Sequence, residues 1–390
     1  MTTQHVVIIG GGHGGAQAAA SVRAADPNVR ISLVCGEGRL PYHRPPLSKS
    51  YIKTLDAQAQ VIRAAMFYET NRIDIWHENA ASVDRVTRVV TLQNSRDLPF
   101  DWLVLATGSR SRFPPGIPDA GFHQLRDLTD AERFRDALAG AESISILGGG
   151  LIGLEVAATA ATLGLRVDLF EPQERLLSRV ASPTISEFMA DAHLSRGVRL
   201  NLGKIPSVSR VSGKWMVRSG DDVICSDLLL VATGGIANTD IARSAGLTAR
   251  SGIVVDEFLR TDDDHIFAIG DCAEFFDVQH GNYSRVETVQ NANDQGRHVA
   301  KMIKGLTEPY RAAASFWSDQ YGFKLQTVGL VGQSDSIVRV TGENGLSASA
   351  THYRDGELIG FEAINMPRDF AHACKKIGAA RQAELGESNL

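Results

Sequence analysis

Two glycine-rich segments of the chain have the residue types and the spacing that hold a dinucleotide. Each combines an apolar run, closely spaced glycines and an alanine-rich stretch, in residues 5–22 and again in residues 143–160. In a G-x-G-x-x-G motif the first glycine allows a tight turn, the second lets the backbone approach a pyrophosphate, and the third lets helix and strand pack closely. The phosphates then bind N–H groups at the positive end of the helix. The matching glycines are Gly10, Gly12 and Gly15 in the first copy and Gly148, Gly150 and Gly153 in the second.

A carboxylate follows each motif at the distance from which it would accept hydrogen bonds from a ribose. Glu37 lies 22 residues after Gly15, and Glu171 lies 18 residues after Gly153, where a spacing of about 20 residues is typical. A lone motif also occurs as a glycine-rich turn of unrelated α/β domains, but two complete copies argue against that alternative. The sequence therefore predicts two bound dinucleotides.

Each motif needs a strand before it, a helix after it, and a second strand that leads to the acid. Residues 101–108 and 226–234 are apolar and end in Ala-Thr-Gly, which is typical of buried parallel strands that run into a glycine turn. Residues 113–118 and 237–239 indicate crossovers between domains. The C-terminal part alternates as antiparallel strands do, and helix signals return at residues 370–377.

Length and composition exclude several classes of protein. The 390 residues suffice for two or three domains, and 43% hydrophobic with 22% charged residues is the balance of a water-soluble globular protein. The net charge of −5, without a Lys/Arg run, argues against nucleic-acid binding. The cysteines include no C-x-x-C or other close pair, which argues against a disulfide scaffold, a zinc ribbon and a sequence-local redox dithiol. They are Cys35, Cys225, Cys272 and Cys374.

Neither a secretion signal nor a membrane span is expected. The first residues lead directly into the apolar residues 6–9, without a basic region or a cleavage site. Residues 143–164 are apolar but contain Glu155 and several glycines, so a strand, a turn and a buried helix explain them better than a membrane span. We therefore expect a cytoplasmic protein that does not bind membranes.

The motifs together resemble those of flavoprotein reductases that bind two dinucleotides, and among them the FAD-dependent, NADH-linked ferredoxin reductases of bacterial oxygenase systems (putidaredoxin reductase type). Rubredoxin reductases, monodehydroascorbate reductases and apoptosis-inducing factors are similar relatives. Besides the glycine motifs, the resemblance rests on PYHRPPLSK (41–49), TDDDHIFAIGD (261–271), VQNANDQG (289–296) and FWSDQ (316–320). It covers nearly the whole chain.

The resemblance implies an α/β fold with two Rossmann-like dinucleotide-binding domains, arranged as in glutathione reductase, and a C-terminal α+β domain. The FAD-binding domain would comprise residues 1–112 and 240–311. It would be interrupted by an NADH-binding domain of residues 113–239, and residues 312–390 would form an interface domain. The protein would be a monomer or a homodimer.

The same resemblance assigns the first motif to FAD, with Glu37 on the adenosine ribose, and the second to NADH. Asp271 would hydrogen-bond the ribityl chain, with a helix N-cap as the alternative role. Arg44 and Lys49 would lie beside the flavin, where positive charge stabilises the reduced ring, unless Arg44 is a solvated loop arginine. His13 is either a structural donor or a tolerated turn residue. The implied FAD contacts are Gly10, Gly12, His13, Gly15, Glu37, Arg44, Lys49, Ala106, Thr107, Gly108, Arg110, Asp271, Val289 and Trp317, and the implied NADH contacts are Gly148, Gly150, Leu151, Ile152, Gly153, Glu155, Glu171 and Gly234.

Glu155 stands out because it lies inside an apolar helix start, where an unpaired carboxylate would be costly to bury. In the family the matching glutamate pairs with the lysine that corresponds to Lys49, close to where nicotinamide and flavin meet. Lys49 and Glu155 are therefore the catalytic candidates. The alternative is an acid that the helix dipole alone stabilises, by ~0.3–1 kcal/mol.

Glu171 predicts NADH rather than NADPH as the electron donor, because a carboxylate accepts from the 2′-hydroxyl and repels a 2′-phosphate. Arg175 and Arg179 follow closely, and could either weaken this preference or be surface arginines. Two positions depart from the family pattern. Gly36 stands in place of an aspartate, and Ala237 in place of the proline of a Pro-Asn pair, so the second crossover could differ in detail.

The implied function is electron transfer from NADH through FAD to a [2Fe–2S] ferredoxin that supplies an oxygenase such as a cytochrome P450. FAD takes up a hydride and releases its two electrons singly, which suits a one-electron acceptor. Acceptor ferredoxins are usually acidic, so a local basic patch is expected in spite of the net charge. The candidates for this patch are Arg285, Arg297, Arg311 and Lys324.

Other functions use the same scaffold. Disulfide reductases need a cysteine pair near the flavin, and peroxidases and coenzyme A disulfide reductases need one cysteine in the segment that here is residues 44–49, which has none. A monodehydroascorbate reductase or a rubredoxin reductase stays open as an enzymatic alternative. A redox sensor similar to the apoptosis-inducing factors is the alternative from another class, in which the reduced flavin changes partner binding.

Overall fold

The computed structural model describes residues 3–118, 121–277, 282–329, 331–332, 334–342 and 345–387. The chain divides into two compact units, each assembled from segments that are far apart in sequence. Unit 1 contains Met1–His43, Gln60–Arg110 and Ile236–Ala314. Unit 2 contains Arg44–Ala59, Ser111–Gly235 and Ser315–Leu390. The division into three domains is finer than this one and stays a prediction.

Strands and helices are numbered here in chain order. The strands are β1 (His5–Ile9), β2 (Arg30–Val34), β3 (Ile73–Trp76), β4 (Ala80–Asp84), β5 (Val89–Leu92), β6 (Asp97–Pro99), β7 (Trp102–Leu105), β8 (Ser109–Ser111), β9 (Ser143–Leu147), β10 (Arg166–Glu171), β11 (Arg199–Leu202), β12 (Ser207–Val211), β13 (Lys214–Ser219), β14 (Asp222–Ser226), β15 (Leu228–Val231), β16 (Gly235–Ala237), β17 (Ile253–Val255), β18 (Ile266–Ala268), β19 (Ala273–Asp277), β20 (Asn282–Ser284), β21 (Ser315–Gln320), β22 (Phe323–Gly329), β23 (Ser336–Thr341), β24 (Ala348–Arg354) and β25 (Glu357–Ile364). The helices are α1 (His13–Ala25), α2 (Ala65–Thr70), α3 (Leu128–Leu138), α4 (Leu151–Thr162), α5 (Pro183–Leu194), α6 (Asp240–Ser244), α7 (Val289–Ile303) and α8 (Pro367–Glu387). Short 3₁₀ turns lie at Pro45–Ser48, Ser50–Ile52 and Gly270–Cys272.

Unit 1 is built on a five-stranded parallel sheet in the order β18-β7-β1-β2-β3. All five residues of β1 are buried, as expected for a strand whose two faces are both covered. The core around the sheet includes Ile8, Leu33, Leu103, Val104 and Phe267, each at most 1% exposed. Because the strands are parallel, the segments that follow β1, β2, β7 and β18 leave the sheet at one edge, where α/β folds bind their ligands.

Helices α1 and α7 pack closely in unit 1. A Cβ atom built on Gly296 of α7 would lie 2.8 Å from the carbonyl oxygen of Gly14 and 2.9 Å from the amide nitrogen of Ala18, both in α1. A glycine is therefore needed where α7 passes α1. Two small sheets, β4-β5-β6 and β17-β19-β20, complete the unit.

Unit 2 contains a four-stranded parallel sheet in the order β11-β10-β9-β15. An antiparallel sheet, β12-β13-β14, packs on it through Trp215 and Val217, which belong to one buried cluster with Leu147, Phe170 and Leu229. The sequence pattern does not predict these three strands. Their signal is the two-residue turn Ser212-Gly213, whose φ angles of 49° and 82° are those of a tight hairpin.

The C-terminal part of unit 2 is a five-stranded antiparallel sheet in the order β21-β22-β25-β24-β23, followed by α8. This confirms the predicted α/β class, with two parallel Rossmann-like sheets and a C-terminal α+β region. Residues 143–164 form β9, a glycine turn and α4, as expected. Within the described ranges, no helix combines the length and apolarity needed to cross a bilayer.

Candidate active site

The first glycine motif forms a tight turn between β1 and α1. Gly10 has a φ of +122°, and a Cβ atom there would lie 2.1 Å from the carbonyl oxygen of Ala106. A Cβ atom on Gly15 would lie 1.9 Å from the carbonyl oxygen of Gly10. Neither position admits a side chain, whereas a Cβ atom on Gly12 would meet nothing within 4 Å. The turn is thus tight on the protein side and open at the second glycine, where a pyrophosphate needs access.

The second motif repeats this geometry between β9 and α4. A Cβ atom on Gly148, whose φ is +111°, would lie 2.3 Å from the carbonyl oxygen of Ala232. On Gly153 it would lie 2.0 Å from the carbonyl oxygen of Gly148, and on Gly150 it would meet nothing within 4 Å. Both turns therefore fit a dinucleotide.

The helices that follow the two turns begin without side-chain caps. The N-cap residues are Gly12 for α1 and Gly150 for α4, and neither helix has an acidic residue in its first turn. The N–H groups of a first turn have no partner within the helix. Uncapped ends of this kind suit the pyrophosphates of FAD and NADH. His13 begins α1, and Leu151 and Ile152 begin α4.

Glu37 and Asp271 lie after parallel strands of the unit 1 sheet. Glu37 follows β2 on the surface and accepts a hydrogen bond from the hydroxyl of Tyr42. Asp271 follows β18, and its carboxylate accepts a hydrogen bond of 3.1 Å from Ser109 Oγ. It lies inside a 3₁₀ turn whose N-cap is Ile269, so the alternative role as a helix N-cap is wrong. The contact of Asp271 with the ribityl chain stays a prediction.

The segment after β7 is tied to the crossover near Asn238. Thr107 Oγ1 donates to the carbonyl oxygen of Asn238 (2.6 Å), and Asn238 Nδ2 donates back to that of Thr107 (2.9 Å). Arg110 Nη1 donates to Asn238 Oδ1 (3.1 Å) and to Asp240 (3.2 Å). These hydrogen bonds fix the crossover at Asn238. The preceding residue, Ala237, is buried and replaces the proline of the family pattern. For Thr107, Gly108 and Arg110, binding of FAD stays a prediction.

Polar side chains surround the first motif. His13 is buried, and its Nε2 lies 3.4 Å from Nδ1 of His43. A Cβ atom on Gly36 would lie 2.0 Å from Oδ1 of Asn79, so this amide occupies the space that the family's aspartate would need. Val289 is the first residue of α7.

Glu171 ends β10 in unit 2 and is fixed by the backbone around it. Its Oε2 accepts from the amide of Gly149 (2.7 Å) and its Oε1 from the amide of Gln173 (2.9 Å). The amide of Gly149 belongs to the second glycine motif, so the carboxylate is held beside that turn. Its contact with a ribose stays a prediction.

The two arginines that follow Glu171 differ in their surroundings. Arg175 Nη1 donates to the carbonyl oxygen of Ala181 and to Ser186 Oγ, both at 2.7 Å, so its guanidinium is committed to the loop. Arg179 is exposed, and its Nη2 would lie 3.4 Å from a Cβ atom on Gly234. Of the two, Arg179 is the one placed to face a ligand at Gly234.

Lys49 and Glu155 form a largely buried ion pair in unit 2. Lys49 Nζ lies 2.6 Å from Glu155 Oε2, and the two side chains are 19% and 7% exposed. Ser48 Oγ donates to the same oxygen. Ser318 Oγ donates to the other oxygen, Oε1, at 2.6 Å. Both carboxylate oxygens are therefore engaged, and Glu155 does not depend on the helix dipole alone.

Three elements distant in sequence bring these side chains together. Glu155 lies on α4, Lys49 and Ser48 lie at the 3₁₀ turn Pro45–Ser48, and Ser318 lies on β21. Thr159 Oγ1 of α4 also donates to the carbonyl oxygen of Ser48 (3.1 Å), which ties the turn to the helix. Neither Ser48 nor Ser318 is predicted as a site residue from the sequence, although Ser48 lies in PYHRPPLSK and Ser318 lies in FWSDQ.

Arg44 and Trp317 also belong to unit 2. Arg44 is the N-cap of the same 3₁₀ turn, and its Nη1 donates to the carbonyl oxygen of Arg126 at 2.6 Å, so the alternative of a solvated loop arginine is wrong. Trp317 lies on β21 and is 38% exposed. Their contacts with the flavin stay predictions.

The two buried thiols, those of Cys35 and Cys272, are not placed for redox chemistry. All four cysteines are free. Cys35 is buried, and burial raises its pKa to about 12. Cys272 is also buried, and burial raises its pKa. Among the described residues, no group of His, Cys, Asp and Glu side chains is arranged to hold a metal ion.

Comparison with known proteins agrees with this geometry. Residues 4–296 match the family profile described as pyridine nucleotide-disulphide oxidoreductase, and residues 315–387 match the profile described as reductase C-terminal. Rhodocoxin reductase of Rhodococcus erythropolis is 37% identical over 379 residues, which are 95% of this chain and 88% of that protein.

Two solved structures are similar over most of the chain. The ferredoxin reductase for the CYP199A2 system of Rhodopseudomonas palustris is 39% identical, with a TM-score of 0.90 over 94% of this chain and 92% of that one. The putidaredoxin reductase in a covalent complex with putidaredoxin is 32% identical, with a TM-score of 0.90 over 97% of this chain and 93% of that one. Proteins of this family use FAD and a nicotinamide dinucleotide. The chain belongs to the pyridine nucleotide-disulphide oxidoreductase family, as an NADH-dependent oxidoreductase of the ferredoxin reductase group.

Proposed function

We propose that the protein passes electrons from NADH through FAD to a [2Fe–2S] ferredoxin that supplies an oxygenase such as a cytochrome P450. The similarity to a reductase of the CYP199A2 system and to one solved with putidaredoxin supports this acceptor. The reaction would take place in the cytoplasm, in keeping with four unpaired cysteines in a reducing compartment.

The observation that carries the proposal is the Lys49–Glu155 ion pair, in which the lysine comes from a segment that contains no cysteine. A disulfide reductase needs a cysteine where electrons leave the flavin, and residues 44–49 contain none. What stands there is an ammonium group 2.6 Å from a buried carboxylate. Charges at such a site position and stabilise a dinucleotide ring but do not accept electrons, so the electrons must leave for an external carrier.

The residues of the chain have distinct tasks in this reaction. FAD bound at the first glycine turn would supply a two-electron acceptor for the hydride of NADH and a one-electron donor for the protein acceptor. The two glycine turns bind the pyrophosphates, and Glu171 selects the 2′-hydroxyl of NADH. Lys49 supplies a fixed positive charge, and Glu155 holds its ammonium group in place.

Not all four candidate side chains for the proposed basic patch are available to an acidic ferredoxin. Arg285 Nη1 donates to the carbonyl oxygen of Asp271 (2.8 Å) and pairs with Glu287, so it is committed to the fold. Arg297 and Lys324 are exposed, although Arg297 contacts Asp294. Arg297 in unit 1 and Lys324 in unit 2 therefore stay, each by itself, as exposed candidates for contact with a partner's carboxylates, and the role of Arg311 stays a prediction.

Anaerobic titration with NADH, followed by mixing with defined acceptors, tests the proposal. We expect NADH to bleach the FAD absorbance, and a [2Fe–2S] ferredoxin to be reduced faster than rubredoxin or the ascorbyl radical. NADPH in place of NADH is the control for donor choice. Faster reduction of the ascorbyl radical would identify a monodehydroascorbate reductase. A long-lived reduced protein that passes electrons to none of the three would point to a redox sensor instead.

A further inference from the structure

A line of buried polar side chains leads away from Glu155 through unit 2. Ser318 and Gln320 lie on β21, and His193 lies near the end of α5. All three are at most 2% exposed. Ser318 Oγ lies 2.6 Å from Glu155 Oε1, Gln320 Nε2 lies 3.0 Å from Ser318 Oγ, and Gln320 Oε1 lies 2.8 Å from His193 Nε2.

The proton positions along this line follow from its first member. The carboxylate of Glu155 can only accept, so the single hydroxyl proton of Ser318 points to it. Ser318 Oγ must then accept from Gln320, which places the amide nitrogen of Gln320 on that side. The amide oxygen faces His193 and can only accept, so His193 carries its proton on Nε2.

The line ends at Tyr321, next to the surface. With the proton on Nε2, His193 Nδ1 accepts from the hydroxyl of Tyr321 at 3.3 Å. The guanidinium of Arg196 lies 4.5 Å from the centre of the Tyr321 ring. Burial is the main cause that lowers the pKa of His193 to about 4, and the positive charge of Arg196 contributes to this lowering. A neutral imidazole is what the assigned protons require.

We infer that Ser318, Gln320 and His193 are positioning residues for the Lys49–Glu155 pair, acting through hydrogen bonds that all donate toward Glu155. Bonds that donate in one direction polarise one another, so each bond strengthens the next. Lys49 and Ser48 engage Oε2, and Ser318 alone among the described contacts engages Oε1. β21 therefore sets the orientation of a carboxylate on α4. The inference rests on the role of the pair in the proposed function.

Nitrogen-15 NMR of histidine-labelled holoprotein tests the hydrogen-bond direction without an activity measurement. We expect His193, assigned with His193→Gln, to carry its proton on Nε2 and to stay neutral from pH 8 down to pH 5. In Gln320→Glu the side chain no longer donates to Ser318 and places a negative charge beside the imidazole. The midpoint for protonation of His193 should then rise by at least about one pH unit. A proton on Nδ1 in the unaltered protein would overturn the inference.

Rapid mixing with NADH tests the effect on the pair. Glu155→Gln should slow reduction of the bound FAD at every pH. Ser318→Ala removes the donor to Oε1, so the rate of FAD reduction should fall about tenfold with the FAD content unchanged, and Ser318→Thr should restore the rate. Ser226→Ala is the matched control, because Ser226 is equally buried and bonds Ser145 (2.9 Å) within the same unit.

The outcomes separate the two proposals. If Glu155→Gln slows reduction but Ser318→Ala and Gln320→Glu are reduced at the rate of the unaltered protein, the positioning role is wrong and the proposed function stands. If Glu155→Gln leaves the rate unchanged, the role of the pair is wrong, and the positioning role falls with it. A loss of FAD or of folding in Ser318→Ala that Ser318→Thr does not reverse would show that Ser318 serves packing alone.

Discussion

At the scale of single residues, charge at buried or fixed positions governs what the protein selects and how its stability depends on pH. Glu171 is held by two backbone amides, so its charge is presented at a defined place beside the second glycine turn. His298 of α7 is buried instead, and the centre of its ring lies 5.4 Å from that of Tyr310. Each leads to a prediction.

Replacing Glu171 by Gln should weaken the preference for NADH. The amide oxygen of Gln can still accept from Gly149, but the charge that repels a 2′-phosphate is lost. We expect the ratio of kcat/KM for NADH to that for NADPH to fall about tenfold, which corresponds to ~1.4 kcal/mol. Glu174→Ala, in the same loop, is the control and should leave the ratio unchanged. An unchanged ratio in Glu171→Gln would assign donor selection to another residue.

His298 should make the protein less stable in mild acid. Burial, together with Lys301, lowers the pKa of His298 from 6.5 to about 4. The unfolded chain therefore takes up a proton between pH 6.5 and pH 4 while the folded protein does not, so stability present above pH 6.5 is lost as the pH falls. Between pH 7.5 and pH 5 this histidine should cost about 2 kcal/mol.

Urea unfolding at both pH values measures this loss. His298→Gln should show a smaller drop between pH 7.5 and pH 5 than the unaltered protein, by about 2 kcal/mol. The exposed His77→Gln is the control for removal of a histidine. The same drop in His298→Gln as in the unaltered protein would mean that other groups cause the acid sensitivity.

At the scale of elements, the molecule depends on close approach of backbones. The packing of α7 on α1 leaves no room at Gly296, while Gly378 in α8 has open space, since a Cβ atom there would meet nothing within 4 Å. Alanine is the better helix former by about 1 kcal/mol. The two glycines therefore separate the effect of packing from that of helix propensity.

Gly296→Ala should destabilise unit 1, by about 1–3 kcal/mol, because its Cβ would overlap the backbone of α1. Gly378→Ala should be neutral or stabilising by up to about 1 kcal/mol. Thermal unfolding of the two variants, with FAD content measured in parallel, checks this. A stabilised Gly296→Ala would show that α1 and α7 can separate at no cost.

At the scale of the whole molecule, the net charge of −5 would oppose binding of the proposed acidic ferredoxin, so we predict a docking surface that is locally basic. Arg297 lies on α7 and Lys324 on β22, in different units. Exposed arginines and lysines act at long range and are screened by salt. Their contribution is thus separable from the chemistry at the flavin.

Charge reversal at Arg297 or Lys324 should raise the KM for the ferredoxin about tenfold at low ionic strength, with the difference shrinking as salt is added. Reduction of a small dye by NADH should not change. Arg218→Glu, in the β12-β14 sheet, is the control. If ferredoxin turnover is unaffected by both reversals, the partner docks elsewhere.

Local backbone requirements made much of the protein predictable from its sequence. A turn at Gly10 or Gly148 is possible only for glycine, because a Cβ atom would overlap the carbonyl oxygen of the residue that follows the neighbouring strand. The requirement is therefore visible in the sequence as a short, fixed spacing of glycines. This spacing also predicts the strand before the turn, the helix after it and the acid that follows. The C-terminal alternation likewise encoded antiparallel strands, whereas the β12-β14 strands were missed because only the Ser212-Gly213 turn marks them.

The two dinucleotide motifs, the absence of a cysteine from residues 44–49 and the fold class follow from the sequence, because each depends on neighbours in the chain. The surroundings of Glu155 do not. Its partners come from residues 48–49 and from Ser318, more than 100 residues away on either side, and the line beyond Ser318 returns to His193 on α5. No local pattern records which serine faces which carboxylate. That choice is made when β21, α4 and α5 pack together, because only then must each buried polar atom find a partner.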